Sequence, residues 1–164
     1  MSRAFVKEPD EGAPAEGLPE RPISEHPNYV TPAGLRQLKE RVGDLERRRL
    51  ELLDDDPDGE LEYVDRDLRY FTSRLESAVA VDMSRQPRRK VAFGAAVTVS
   101  KPAGDRQTFM IVGEDEADLR LGKISYVSPL AEALLDARVG KKVLWRRPAG
   151  NLELIVKEIE YPEA

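Results

Sequence analysis

The sequence predicts an α+β protein: an antiparallel helical hairpin with coiled-coil spacing, then a mostly antiparallel sheet carrying one helix. The prediction rests on a change of texture along the chain. Up to Ala78 the apolar residues recur every three or four positions, as on a helix face. After Val91 they alternate, as on a half-buried strand, and short Pro- and Gly-containing stretches separate the runs.

Residues 1–28 hold Pro9, Pro14, Pro19, Pro22 and Pro27 among glycines and acids and show no apolar period, which predicts a flexible tail. His26, the single histidine, lies here with no second histidine to complete a metal site or a proton relay. The first helix begins at Thr31-Pro32, a capping residue followed by the one proline that a helix accepts at its first position. Its stripe runs Leu35, Leu38, Val42, Leu45 and Leu52, with Arg49 in the remaining slot. The second stripe runs Leu61, Val64, Leu68, Phe71, Leu75 and Ala78. Two matched stripes ending at one turn predict an intramolecular hairpin over 29–82, each arm reaching about 30 Å at 1.5 Å per residue. Arg47, Arg48 and Arg49 either meet a partner or pair across the hairpin with Asp65, Asp67 or Glu62.

DMSRQPRRK supplies a basic linker over 83–90, and 91–164 reads as the second domain. VAFGAAVTVS and QTFMIVG are strands about the turn KPAGD, and KKVLWRR and NLELIVKEIEY are strands about Pro-Ala-Gly-Asn. Between them ISYVSPLAEALLDARVG gives a short strand, then a helix capped by Ser128, opened by Pro129 and stopped before Gly140. Trp145 alternates with charged neighbours and is expected on a packed sheet face.

Composition limits function. The absence of cysteine excludes disulfides, thiolate metal sites and cysteine nucleophiles, and suits a reducing cytoplasm. No run of about eighteen apolar residues exists, so no membrane span is expected. Net charge is −3 over 1–30, −5 over 31–82 and +3 over 83–164. An acidic front half argues against strong direct nucleic-acid binding. The turn concentrates Asp54, Asp55, Asp56, Asp58 and Glu60. Asp54, Asp56, Asp58 and Gly59 match the opening of an EF-hand loop, with Leu61, Glu62 and Asp65 at its eighth, ninth and twelfth positions. Pro57 is awkward at the fourth position, and Asp65 is shorter than the usual Glu. No metal site is assigned; a calcium-binding or self-associating adaptor, held by Leu38 and Leu45, is the alternative reading.

The stretches NYVTPAGLRQLKER, DRDLRYFTSRLESAVAVD, VAFGAAVTV, MIVGEDEAD, ISYVSPLAEALL, VGKKV and PAGNLELIVKEIEY appear in an order that resembles the GreA/GreB bacterial transcription elongation factors from Asn28 to Tyr161. MSRAFVKE and RDLRYFTSRLE lean toward the GreB side. The resemblance implies an FKBP-like C-terminal domain that docks on RNA polymerase at its secondary channel. It also implies a coiled coil that presents tip acids to the polymerase's catalytic Mg²⁺. The factor would then be a monomeric regulator and not an enzyme itself, with no cofactor beyond a transient Mg²⁺ in the polymerase. By position, Ser128, Pro129, Asp115, Glu116 and Asp118 match the family's docking residues, although capping alone explains Ser128-Pro129 and the acids could be solvated. The family's tip, a G-D-x-x-E-N-A-x-Y-like segment, has no counterpart here. Each arm is about nine residues short, about 14 Å of reach. The five turn acids therefore do not inherit the family role, and stimulation of transcript cleavage is expected to be weak or absent. Short-hairpin relatives such as the Rnk regulators make this divergence plausible.

Overall fold

A computed structural model describes residues 17–162. Its order is β1 (Tyr29–Val30), α1 (Pro32–Asp54), α2 (Leu61–Ser77), β2 (Val79–Ala80), β3 (Ala96–Ser100), β4 (Arg106–Val112), β5 (Lys123–Ser125), α3 (Pro129–Leu134), β6 (Lys142–Trp145) and β7 (Leu152–Glu160). The protein is thus α+β, with a five-stranded sheet ordered β5-β4-β3-β7-β6. Within this sheet the β4–β5 pair is parallel and the other three ladders are antiparallel.

α1 starts as its sequence dictates. Thr31 Oγ1 accepts from the Gly34 amide at 2.9 Å, and Pro32 occupies the first turn, where no intrahelical N–H is needed. Leu38, Leu45 and Leu52 of the expected stripe are buried. Leu45, Leu52 and Val64 form a small cluster with Leu61, Leu68 and Phe71, which joins α1 to α2. Arg49 fills its slot in the seam and reaches Asp65 at 2.7 Å. Arg48 instead bonds Glu60 at 2.5 Å and Glu51 at 2.9 Å, and Arg47 pairs within its own helix with Asp44.

The sheet has the larger core. Val97, Val99, Ile111, Leu134, Leu154 and Val156 are fully enclosed, each contributing about 1.5–3 kcal/mol by burial. Trp145 packs edge-on to Phe109, ring centroids 6.4 Å apart, as expected of a sheet-face residue. The sheet core and the helix-pair cluster share no residue.

Two features join the halves that the sequence pattern leaves unannounced. β1 and β2 pair in parallel, Tyr29 with Val79 and Val30 with Ala80, closing the base of the helix pair. Met83, in the stretch read as linker, is buried and lies where a Cβ on Gly94 would stand. Of the segment read as a tail, residues 1–16 lie outside the described residues. Residues 17–28 run along α2. Leu18 N–H donates to Glu62 at 2.7 Å, Glu20 accepts from Arg69 Nε at 3.1 Å, and Arg21 sits 4.0 Å over the Tyr70 ring. Among the described residues no helix is long and apolar enough to cross a membrane.

Candidate functional site

The acids singled out by sequence fall at the two ends of the helix pair, in opposite surroundings. At the base, β4 ends at Val112 and the chain turns through Gly113, Glu114, Asp115 and Glu116 into the space beneath both helices. Arg74 of α2 is only 2% exposed. Its Nε donates to Asp115 Oδ2 at 2.6 Å, and its Nη2 donates to Asn28 Oδ1 at 2.8 Å. Nη2 also lies 3.5 Å from Glu114. Asn28 Nδ2 in turn donates to the Arg74 carbonyl at 2.7 Å, so the two residues hold each other. The Tyr70 hydroxyl donates to Asp115 Oδ1 at 2.6 Å. Burial is the largest single influence and works against the Arg74 charge, but the Asp115 hydrogen bond together with the attraction of Asp115, Tyr70 and Glu114 outweighs it and leaves the guanidinium pKa raised. Burial, then the Asp115 hydrogen bond, push the Tyr70 phenol up to about 12.

Glu116, 7% exposed, turns toward the other helix. The Thr31 hydroxyl donates to it at 2.6 Å while capping α1, and Lys123 Nζ stands 3.5 Å away. Asp115 and Glu116 thus face inward as structural partners rather than lying on an open docking face.

At the tip, Asp54, Asp55 and Asp58 are exposed. Asp56 is different: its Oδ1 accepts from the Glu60 amide at 2.7 Å and its Oδ2 from the Leu61 amide at 3.1 Å. It caps the start of α2, where the helix leaves amides without partners. The Arg48 hydrogen bond lowers the Glu60 pKa. Asp56, which stands at the third position of the EF-hand-like pattern, thus uses both carboxylate oxygens in capping α2. Among the described residues no three His, Asp or Glu side chains converge in a way that could hold a metal ion.

The remaining candidates flank β5. Before it, Asp118 accepts from the Arg120 amide at 3.0 Å and from its guanidinium, which lowers the Asp118 pKa. That turn leaves Leu119 81% and Leu121 69% exposed. After it, Ser128 Oγ accepts from the Ala131 amide at 3.3 Å, capping α3 and leaving Pro129 exposed. The two features lie beyond opposite ends of β5, a three-residue strand about 10 Å long.

The sequence profile described as "Transcription elongation factor, GreA/GreB, C-term" matches residues 86–161. The chain is 37% identical to the transcription elongation factor GreB of Neisseria meningitidis serogroup B, over 84% of this chain and 96% of that protein. The chain belongs to the GreA/GreB family. Other members it resembles are GreB of Pseudomonas aeruginosa, 41% identical over 63% of this chain and 62% of that one, and GreA of Pelobacter propionicus, 38% identical over 60% and 63%. A solved GreA/GreB factor from Nitrosomonas europaea is 20% identical, covers 82% of this chain and 99% of its own, and has a TM-score of 0.42.

In this GreA/GreB chain, sequence reasoning missed Arg74, Tyr70, Asn28 and the second role of Thr31. Arg74 stands next to Leu75 of the stripe, and in a linear reading a charged neighbour of a stripe belongs to the solvent face. The signal available was the pairing of one arginine with a loop rich in acids, GEDEAD, but nothing local says that they meet.

Proposed function

We propose that the protein binds RNA polymerase at the entrance of its secondary channel and regulates transcript elongation there. What carries this reading is the match to GreB across most of both chains. The proposed organisation is a tail over 1–28, an antiparallel coiled-coil hairpin over 29–82, a linker over 83–90 and an FKBP-like docking domain over 91–164. Ser128, Pro129 and Asp118 are the proposed docking residues. Rigid caps on either side of β5 hold them, with Leu119 and Leu121 free to meet an apolar surface. Asp115 and Glu116 contribute from inside, by holding the loop that leads to Asp118.

The hairpin enters the channel but stops short of the catalytic Mg²⁺, so stimulation of transcript cleavage is weak or absent. Two observations support this. The alignment to GreB runs over 157 positions, while 84% of 164 residues is about 138, so about 19 aligned positions have no counterpart here. Of the tip acids, Asp56 and Glu60 are already engaged within the protein. A carboxylate assists hydrolysis only from within a metal shell or hydrogen-bond range. The protein acts as a cytoplasmic monomer, contributes no catalytic group of its own, and neither binds membranes nor grips nucleic acid strongly.

Competition against a factor known to occupy the channel tests the docking. The intact protein displaces that factor, and Ser128→Glu with Pro129→Arg abolishes displacement while the variant, its α3 cap lost, still melts cooperatively. Displacement that persists in the double variant removes these residues from the interface, and failure of the intact protein to compete removes the proposal. On stalled elongation complexes, little cleavage above background is expected. Strong cleavage lost on replacing Asp54 to Asp58 by alanine would overturn the reach argument.

A further inference from the structure

All four buried polar or charged residues among the described residues, Asn28, Thr31, Arg74 and Glu116, lie where the helix pair meets the sheet. The two apolar clusters stop short of one another there. Between them is a recess of about 220 Å³ lined by Val30, Leu38, Phe71, Arg41 and the 113–116 loop. Apolar contact between the halves runs through Tyr29 against Phe93 and Tyr126 and through Met83 against Gly94, while beside the 113–116 loop the recess leaves side chains room to shift. Apart from the Tyr126 hydroxyl on the Pro27 carbonyl, the hydrogen bonds that the sheet half makes here come from two consecutive residues. Asp115 reaches α2 through Arg74 and Tyr70, and Glu116 reaches the cap of α1 through Thr31.

The backbone is shaped for this approach. A Cβ on Gly34 would stand 2.8 Å from Glu116 Oε2, and a Cβ on Gly113 would stand 2.4 Å from the Tyr29 carbonyl oxygen. The second contact is against backbone and cannot be relieved by a rotamer change, so Gly113 is needed to bring the loop against β1, whereas Gly34 leaves room for the Glu116 carboxylate beside the start of α1. A planar guanidinium held by a carboxylate, an amide and a second acid has little freedom to rotate, whereas apolar side chains around a gap slide readily.

We propose that the Gly113–Glu116 loop is a two-pronged clamp in which Asp115 with Arg74, and Glu116 with Thr31, are positioning residues that fix the direction of the helix pair relative to the sheet. Its value to a polymerase regulator, aiming the tip along the channel while the β5 face docks, rests on the reading above; the clamp itself is a property of the free protein. The clamp and the docking turn share one short loop, since Asp118 follows Glu116 by two residues.

The absence of cysteine makes the test direct. Spin labels at Asp58→Cys, on the tip, and Arg146→Cys, on the sheet half, report the distance between the halves in the free protein. The otherwise unchanged chain is expected to give one narrow distance distribution. Arg74→Met/Asp115→Leu removes the guanidinium together with the carboxylate that holds it most closely, so that Glu114, 23% exposed, is the acid that loses its 3.5 Å ion pair; Thr31 and Glu116 stay as they are. That variant should melt cooperatively yet show a broadened and shifted distribution, and Thr31→Val added to it should broaden it further. Arg74→Lys, which keeps charge but loses the fork, should fall between. A folded double variant with an unchanged narrow distribution overturns the clamp, as does a broad distribution in the otherwise unchanged chain. Because no polymerase is present, these outcomes are separate from success or failure of the competition assay.

Discussion

The two ends of the helix pair carry the same kind of residue and use it oppositely. At the base, Asp115 and Glu116 are held by Arg74, Tyr70 and Thr31 away from solvent. At the tip, Asp54, Asp55 and Asp58 stand in water, and only Asp56 is turned inward, to cap α2. A carboxylate in water is satisfied by its hydration and can be exchanged with little effect on folding. A carboxylate removed from water must be met by donors, and its loss strands the partner that met it. Environment, more than residue type, decides which acids are structural.

The contrast breaks most readily at the base. Asp115→Ala leaves a nearly fully buried guanidinium with the neutral Asn28 at 2.8 Å and, as counter-charge, Glu114 at 3.5 Å, and is expected to cost about 3 kcal/mol or more by denaturant titration. A loss no larger than that of a tip aspartate would erase the distinction.

Tyr70 gives a pH signature of the same end. Its phenol is raised from 10.0 to about 12. Below pH 10 it is protonated in folded and unfolded chains alike, and its contribution is intact. Above pH 10 the unfolded chain ionises first, so stability falls until the folded phenol also ionises near pH 12. The difference between the protein and Tyr70→Phe across that window should amount to about 1–2 kcal/mol, after allowance for partial exposure. Parallel curves for the two proteins would mean that the phenol is neither shielded from water nor held by Asp115.

At the tip, Asp56→Ala removes the α2 cap and should lower stability by about 1 kcal/mol, with fraying of the first turn of α2 visible in amide exchange. Smallest of all, Asp54→Asn, Asp55→Asn and Asp58→Asn should each change stability by less than about 0.5 kcal/mol. A larger loss at any of the three would show a contact that the folded geometry lacks, and would place that residue with Asp56.

Much of this was legible in the chain. Thr31-Pro32 and Ser128-Pro129 announce their helices because capping is local chemistry, decided within four residues. Leu38, Leu45, Leu52 and Val64 announce the seam through their spacing, and the alternation of Val97 and Val99 announces β3. Arg74 could not be found this way, because its partners Asn28 and Asp115 lie 46 and 41 residues away. The β1–β2 pairing escaped for a similar cause: two-residue strands have no period to detect. Asp115 and Glu116 were marked as candidates by family position, yet their inward orientation depends on where both helices stand.

By itself the sequence determined the kind of protein this is: helices from period and caps, a sheet from alternation, and GreA/GreB membership from ordered blocks of residues. These are short-range facts, set by propensity and pattern. The tertiary structure decided which acids are buried, which arginine is a support and how the halves meet, since desolvation and pairing exist only once distant segments come together.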